Sequence, residues 1–229
     1  MYMTKLLFGI FAHPDDEAFG PAGTFIKEVQ NGTELHLITL TLGDAGANPD
    51  GVHNLADERQ MEWRTGGDLM GATSMTHLGY MDGQLTNQSL VSAGEKLVEI
   101  IKSTAKDREN IEIDILCFDF NGISGHIDHI VASRAAAWAF YALRNDGHNM
   151  GRLRLWRLSA HEVPTSNINW LYMEPGYTDS EIDEIVDARE YHDKIVEVIR
   201  AHKSQRYNGE SHIHNRGENL GINHYKILN

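Results

Sequence analysis

One cysteine, Cys117, stands in the whole chain, so no intrachain disulfide can form and a reducing compartment is implied. Cations are also scarce. Lys and Arg total 20 against 33 Asp and Glu, a formal net charge of -13 with a pI near 5.4. Binding to nucleic acid or to an anionic membrane depends on clustered Lys and Arg, so this balance argues against both partners. No apolar run approaches the roughly 20 residues that a membrane span requires. Lys5 precedes an apolar run of only seven residues, and no small-residue cleavage site follows it before a charged stretch, so a secretory pattern is lacking too. A soluble, cytoplasmic protein is expected.

What remains is ordinary in bulk and unusual in one respect. The 229 residues, 41% of them apolar, suffice for one α/β domain with a sizeable core, expected over 1–229 with its core at about 4–206. Thirteen histidines are more than usual, and several stand near carboxylates, a composition that points to metal.

Strand-like and helix-like stretches alternate. Leu6–Ala12 is a short apolar run expected to form a buried strand, and Ala18–Gln30 a helix stopped by Asn31-Gly32. Strands are further expected at 33–42, 76–80, 111–120, 153–161 and 182–186, and helices at 55–70, 89–105, 126–144 and 192–202. The polar tail from about Tyr207 is expected to be coil or a short strand. Strands separated by helices imply βαβ units, hence a Rossmann-like, mostly parallel sheet with helices on both faces.

Two clusters fall where such a sheet binds ligands, at the ends of strands. His13-Pro14-Asp15-Asp16-Glu17 follows the first strand directly, and Pro14 stiffens the turn. Gly125-His126-Ile127-Asp128-His129 follows the fourth, with His126 and His129 on one face of the helix that starts there. His, carboxylate and His make a common catalytic zinc set with one position open for water, although iron(II) takes the same donors. A spare carboxylate can serve as general base, and a spare imidazole can stabilise developing charge or protonate a leaving group. Spacing alone leaves open which of Asp15 and Asp16 is the ligand, and whether three or four ligands are used.

Ala12-His13-Pro14-Asp15-Asp16-Glu17 and Gly125-His126-Ile127-Asp128-His129 resemble the two signature motifs of the PIG-L/LmbE-like zinc deacetylases. Arg59-Gln60-Met61-Glu62 resembles the family's R-x-x-E helix, Asp82-Gly83 its D-G turn, and His202-Lys203-Ser204-Gln205 its late H-x-S-Q element. The resemblance implies that His13, Asp16 and His129 hold one zinc per chain and that Asp15 is the general base. It implies that His126 assists the tetrahedral intermediate or the departing amine, while Asp128 orients an imidazole. Arg59 and Asp82 would contact the substrate, an N-acetylated amino sugar or its glycoside. An amidase acting on a larger, lipid-linked or antibiotic-linked conjugate shares these features, and a non-catalytic sugar-binding protein shares the fold. The resemblance also leaves room for a homo-oligomer.

Ile127 replaces the family's usual proline, and Ser124 stands where some members have a tyrosine that helps the oxyanion. The other features have plainer readings. Gly43-Asp44-Ala45-Gly46 lacks the spacing and the lysine of a phosphate loop and is expected to line the pocket. Glu62 is expected to pair with Arg59 or Arg64 on its own helix. His202, Ser204 and Gln205 are read as a helix end outside the site, and His212 and His214 as solvated coil. Trp63, Trp138, Trp156 and Trp170 are read as core or interface residues, and Cys117 as an inert buried thiol.

Overall fold

A computed structural model describes residues 3–163 and 175–229. Its sheet has seven strands in the order β3-β2-β1-β4-β5-β7-β6. These are β1 (Thr4–Phe11), β2 (Glu34–Thr39), β3 (Ser74–His77), β4 (Ile111–Phe118), β5 (Met150–Arg157), β6 (Glu184–Asp187) and β7 (Ile222–Leu228). β1 to β5 run parallel, and β7 lies antiparallel between β5 and β6. The mostly parallel α/β architecture expected from the alternation is therefore present, as one sheet.

Buried on both faces, the central strands need apolar residues at every position, which is why they are near-continuous hydrophobic runs. In β1, Leu6, Phe8 and Ile10 enter one core, while Leu7 and Phe11 enter the other. The first core is closed by α4 (Asn87–Ala105) and α6 (Ile127–Asn145), through Leu97, Ile101, Ala135 and Phe140. The second is closed by α2 (Ala22–Gln30), α3 (Leu55–Met70) and α7 (His192–Ala201), through Phe25, Trp63 and Val198. Trp156 joins this second core and Trp138 stands 40% exposed on α6, while Trp170 lies outside the described residues. Cys117 is buried in β4, where burial pushes its thiol upward in pKa.

Helix ends follow local chemistry. The Asn54 side chain accepts the Asp57 N–H at the start of α3, and Gly71 ends that helix at φ 83°. Gly20-Pro21 divides the single helix expected at 18–30 into α1 (Asp16–Phe19) and α2, because proline cannot continue a helical hydrogen-bond ladder. A short α5 (Gly122–Gly125) precedes α6. The tail, expected to be coil or a short strand, does end in a strand, β7, which lies inside the sheet, but its first part forms an unexpected helix, α8 (Arg206–Arg216). No described helix is long and apolar enough to cross a membrane.

β1 has β2 on one side and β4 on the other, so the chain reverses direction across the sheet between β1 and β4. Open α/β sheets bind ligands in the crevice at such a reversal, beyond the carboxyl ends of the strands. Both histidine motifs emerge there.

Gly9 lets this arrangement close. A Cβ at this position would lie 2.7 Å from Phe25 Cζ and 2.9 Å from a Leu37 methyl, both in the core. Gly9→Ala is expected to destabilise the protein by about 1–3 kcal/mol through overpacking. Thermal unfolding checks this, and an unchanged Tm would show that Phe25 yields without cost.

Candidate active site

The turn after β1 is fixed before any side chain acts. The Ala12 carbonyl accepts from Thr41 N at 2.9 Å and from the hydroxyls of Thr39 and Thr41 at 3.1 and 3.0 Å. The His13 N–H donates to Asp16 Oδ2 at 3.0 Å. Asp15 then takes φ 104°, a left-handed conformation that side chains other than glycine rarely adopt and that costs about 1–3 kcal/mol.

Three donors meet at this turn. His13 Nδ1 lies 3.1 Å from His129 Nε2 and 3.7 Å from Asp16 Oδ2, and Asp16 Oδ1 lies 3.3 Å from His129 Nε2. His129 Nδ1 is 3.1 Å from the Gly122 carbonyl, which accepts its proton and leaves Nε2 with a lone pair. His13 Nε2 faces Asp82 Oδ1 at 2.9 Å and Asp128 Oδ2 at 3.4 Å, so its proton lies there and Nδ1 turns to the other two donors. Asp82 and Asp128 are themselves held by backbone donors: Ala45 N at 2.8 Å, and Gly83 N at 2.7 Å with Leu85 N at 3.3 Å. Supporting acceptors of this kind set ring orientation and tautomer at metal centres.

Electrostatics agrees with a place for positive charge. Burial opposes the His13 imidazolium, but Asp128, Asp82 and Asp16 outweigh it and push the pKa up to about 10. Burial, then His13 and His126, hold His129 well below its ordinary value, so this ring is neutral. Burial raises Asp15 and Asp16 against the pull of Arg59 and His13. Burial and His13 also lower His126, whose ring stacks on His129 with centroids 4.8 Å apart. His126 caps α6 by accepting the Asp128 N–H on Nδ1 at 3.2 Å, so in the neutral ring the proton sits on Nε2.

Asp15 is supported from two directions. Its Oδ2 is 3.0 Å from Arg59 Nη2, and Arg59 also donates to the carbonyls of Gly43, at 2.6 Å, and Pro14. Arg59 is buried, and its two terminal nitrogens are committed to these partners. A Cβ on Gly43 would overlap that guanidinium, so the glycine-rich loop makes room for a cation from α3. On the other side the Asp15 N–H donates to Glu17 Oε2 at 3.3 Å, and Glu17 Oε1 is 3.2 Å from His202 Nε2. Glu17 and His202 are each 1% exposed. Burial opposes the His202 imidazolium, yet Glu17 raises its pKa.

Eight residues expected at the site, His13, Asp15, Asp16, Arg59, Asp82, His126, Asp128 and His129, thus come together. Glu62 differs from its expected pairing with Arg59 or Arg64: its carboxylate accepts the Ser204 N–H at 2.7 Å and hydroxyl at 2.6 Å. His202 is not a remote helix end but lies directly behind Asp15. The signal for both was the order of motifs, since no local rule links residues 142 apart. Glu17→Gln replaces the carboxylate that faces the buried His202 ring with a neutral amide. It is expected to lower stability by about 1–3 kcal/mol, and denaturant unfolding with an unchanged midpoint would remove that pairing.

Comparison with known proteins gives the same outline. The chain is 27% identical to 1D-myo-inositol 2-acetamido-2-deoxy-alpha-D-glucopyranoside deacetylase of Thermomonospora curvata, covering 88% of this chain and 80% of that one. It is 25% identical to the probable N-acetyl-alpha-D-glucosaminyl L-malate deacetylase 2 of Bacillus anthracis, covering 86% and 79%. Among solved structures, the N,N'-diacetylchitobiose deacetylase of Pyrococcus horikoshii matches with TM-score 0.67 at 20% identity, covering 98% of this chain and 83% of that one. GalB, the 4-carboxy-2-hydroxymuconate hydratase of Pseudomonas putida, matches with TM-score 0.72 at 15% identity, covering 99% and 97%. At such identity the two structures share a fold, and a fold alone does not select a reaction. The sequence model described as PIG-L, GlcNAc-PI de-N-acetylase, matches residues 8–140, more than half the chain and the whole span from β1 into α6, and the protein belongs to that family.

Proposed function

We propose that this protein is a zinc-dependent hydrolase that removes the acyl group, acetyl in the simplest case, from an N-acetylated amino sugar or its glycoside. The observation that carries this reading is the triangle of His13 Nδ1, Asp16 and His129 Nε2, with Asp15 on the same rigid turn. Bonds of roughly 2.0–2.2 Å in tetrahedral geometry separate ligand atoms by about 3.3–3.6 Å. The three observed separations scatter around that value. Two imidazoles and one carboxylate also suit iron(II), and the acidic surroundings of His13 suit either cation. When bound, zinc supplies Lewis-acid polarisation of the carbonyl and a more acidic water.

The chain's own residues do the rest. Asp15 accepts a proton from the attacking water and passes it to the departing nitrogen, its carboxylate aimed by Arg59. The water oxygen joins the acyl carbon, the C–N bond breaks, and the amine leaves with its proton. His126 donates from Nε2 to the reacting amide, its other nitrogen being used by the helix cap. Asp82 and Asp128 hold His13 in the tautomer that turns Nδ1 inward. The deacetylase names of the relatives support amide hydrolysis, and their glucosamine-type substrates support the amino sugar.

Because a hydratase shares the fold, the assay must detect released amine from N-acetylglucosamine and its glycosides. Asp15→Asn is expected to lower kcat by roughly 10²–10⁴ while bound zinc, measured by elemental analysis, stays near one per chain. Full activity in that variant would remove Asp15 as the base. His129→Ala is expected to lose the zinc itself, and a metal content equal to wild type would remove His129 from the ligand set.

A further inference from the structure

Two hollows lie on opposite sides of the β1 turn, and their chemistry differs. The one formed by the loop after β2, of about 310 Å³, is lined by Asp44, Asn48, His53 and Asn54 among others. Its Asp44 neighbours Ala45, whose N–H holds Asp82. The other, of about 320 Å³, lies beyond the ends of β4 and β5. Its walls include Phe19, Phe118, Ile123, Trp156 and Leu158, and its inner end is formed by Asp16 and His129. Phe118 packs against both His129 and Trp156, with ring centroids 5.1 and 5.4 Å apart. Arg216 pairs with Glu162, which also meets His224 Nδ1 at 3.1 Å, and His161, His212 and Asn215 add polar groups to the outer walls.

The position of this cavity assigns its occupant. A scissile amide has two substituents, an amine and an acyl group, on either side of the reacting carbon. The amine nitrogen must stay within reach of the groups that move protons. Asp15 and His126 are those groups, and they line neither this cavity nor the hollow after β2, so the amine stays at the turn itself. Asp16 and His129 both line this cavity, so an amide carbonyl held between them turns its acyl substituent toward the aromatic wall. A methyl group leaves most of 320 Å³ unfilled, whereas a cavity of roughly 150 Å³ already accepts benzene.

We infer that the apolar cavity beyond β4 and β5 is an acyl-binding site for N-acyl groups longer than acetyl, of about six carbons or an aryl ring. This rests on the amide-hydrolase reading above and adds the substrate's acyl class to it. Each methylene moved from water into such a site contributes roughly 0.8 kcal/mol, a factor of about four in affinity when fully realised.

Zinc-loaded full-length protein is tested with N-acetyl-, N-butyryl- and N-hexanoylglucosamine, following amine release. Expected is a kcat/KM that rises by about twofold to fourfold per added methylene through hexanoyl. Leu158→Trp narrows the cavity and is expected to reduce the hexanoyl-to-acetyl ratio at least tenfold. In a second measurement, independent of turnover, hexanoate competes with acetate for the zinc-loaded protein and is expected to bind more tightly. Hexanoate binding without turnover of any amide would overturn the hydrolase reading and leave the acyl cavity standing. Rates that fall from acetyl to hexanoyl, with hexanoate no tighter than acetate, would overturn the cavity and leave the hydrolase reading standing. Rates that follow the size of the glycoside's aglycone instead of the acyl chain would give the cavity to the aglycone, and this inference would fail.

Discussion

The contact between Asp15 and Arg59 is the one on which the rest of the site depends. A carboxylate buried on a left-handed backbone carries two costs, strain and desolvation, and neither is offset within the turn. The offsets come from elsewhere in the fold. α3 sends in Arg59, Gly43 clears space for it, and Thr39 and Thr41 anchor the carbonyl of Ala12. Glu17 receives the Asp15 amide and is backed by His202 from the end of α7. Removing any one support leaves a buried charge or an unpaired donor, which is why elements distant in sequence must be present together.

A second constraint follows from the first. Asp15, Asp16, Glu17, Asp82 and Asp128 are all buried or nearly so within one small region, and among them stand Arg59, His13 and His202 as sources of positive charge. His13 reaches a pKa of about 10 because its acceptors demand a cation. A divalent ion between His13, Asp16 and His129 would meet that demand without a proton. Asp82 then matters for chemistry by way of His13, whether or not a substrate hydroxyl also reaches it.

The parts legible in the sequence were those governed by local rules. β1 and β4 are apolar runs because both faces of the sheet are covered, and α3 is bounded by Asn54 and Gly71 as capping chemistry requires. The His126–His129 spacing correctly put both rings on one helix face. The helical part of the tail was not legible. Arg206–Arg216 carries little apolar periodicity, and only tertiary contacts, such as Gly209 against Ile199 and Ile213 against the second core, hold it as a helix. The partnerships of Glu62 with Ser204 and of Glu17 with His202 bridge distant segments, so periodicity could not show them. The burial of Arg59 against the Gly43 loop was likewise not legible, because its helix neighbours say nothing about that loop.

These differences in legibility follow from how the molecule divides its labour. The residues to which we assign proton transfer and metal binding sit at the ends of β1 and β4, where strand packing and a strained turn leave little freedom. The walls of the two hollows come from other pieces: the loop after β2, the ends of β4 and β5, and α8, which contributes His212, Asn215 and Arg216 to the apolar cavity. A sequence can alter those walls without disturbing the Asp15–Arg59 contact. The helical tail, least readable from local pattern, thus lines the same cavity whose inner residue, Asp16, belongs to the most readable motif.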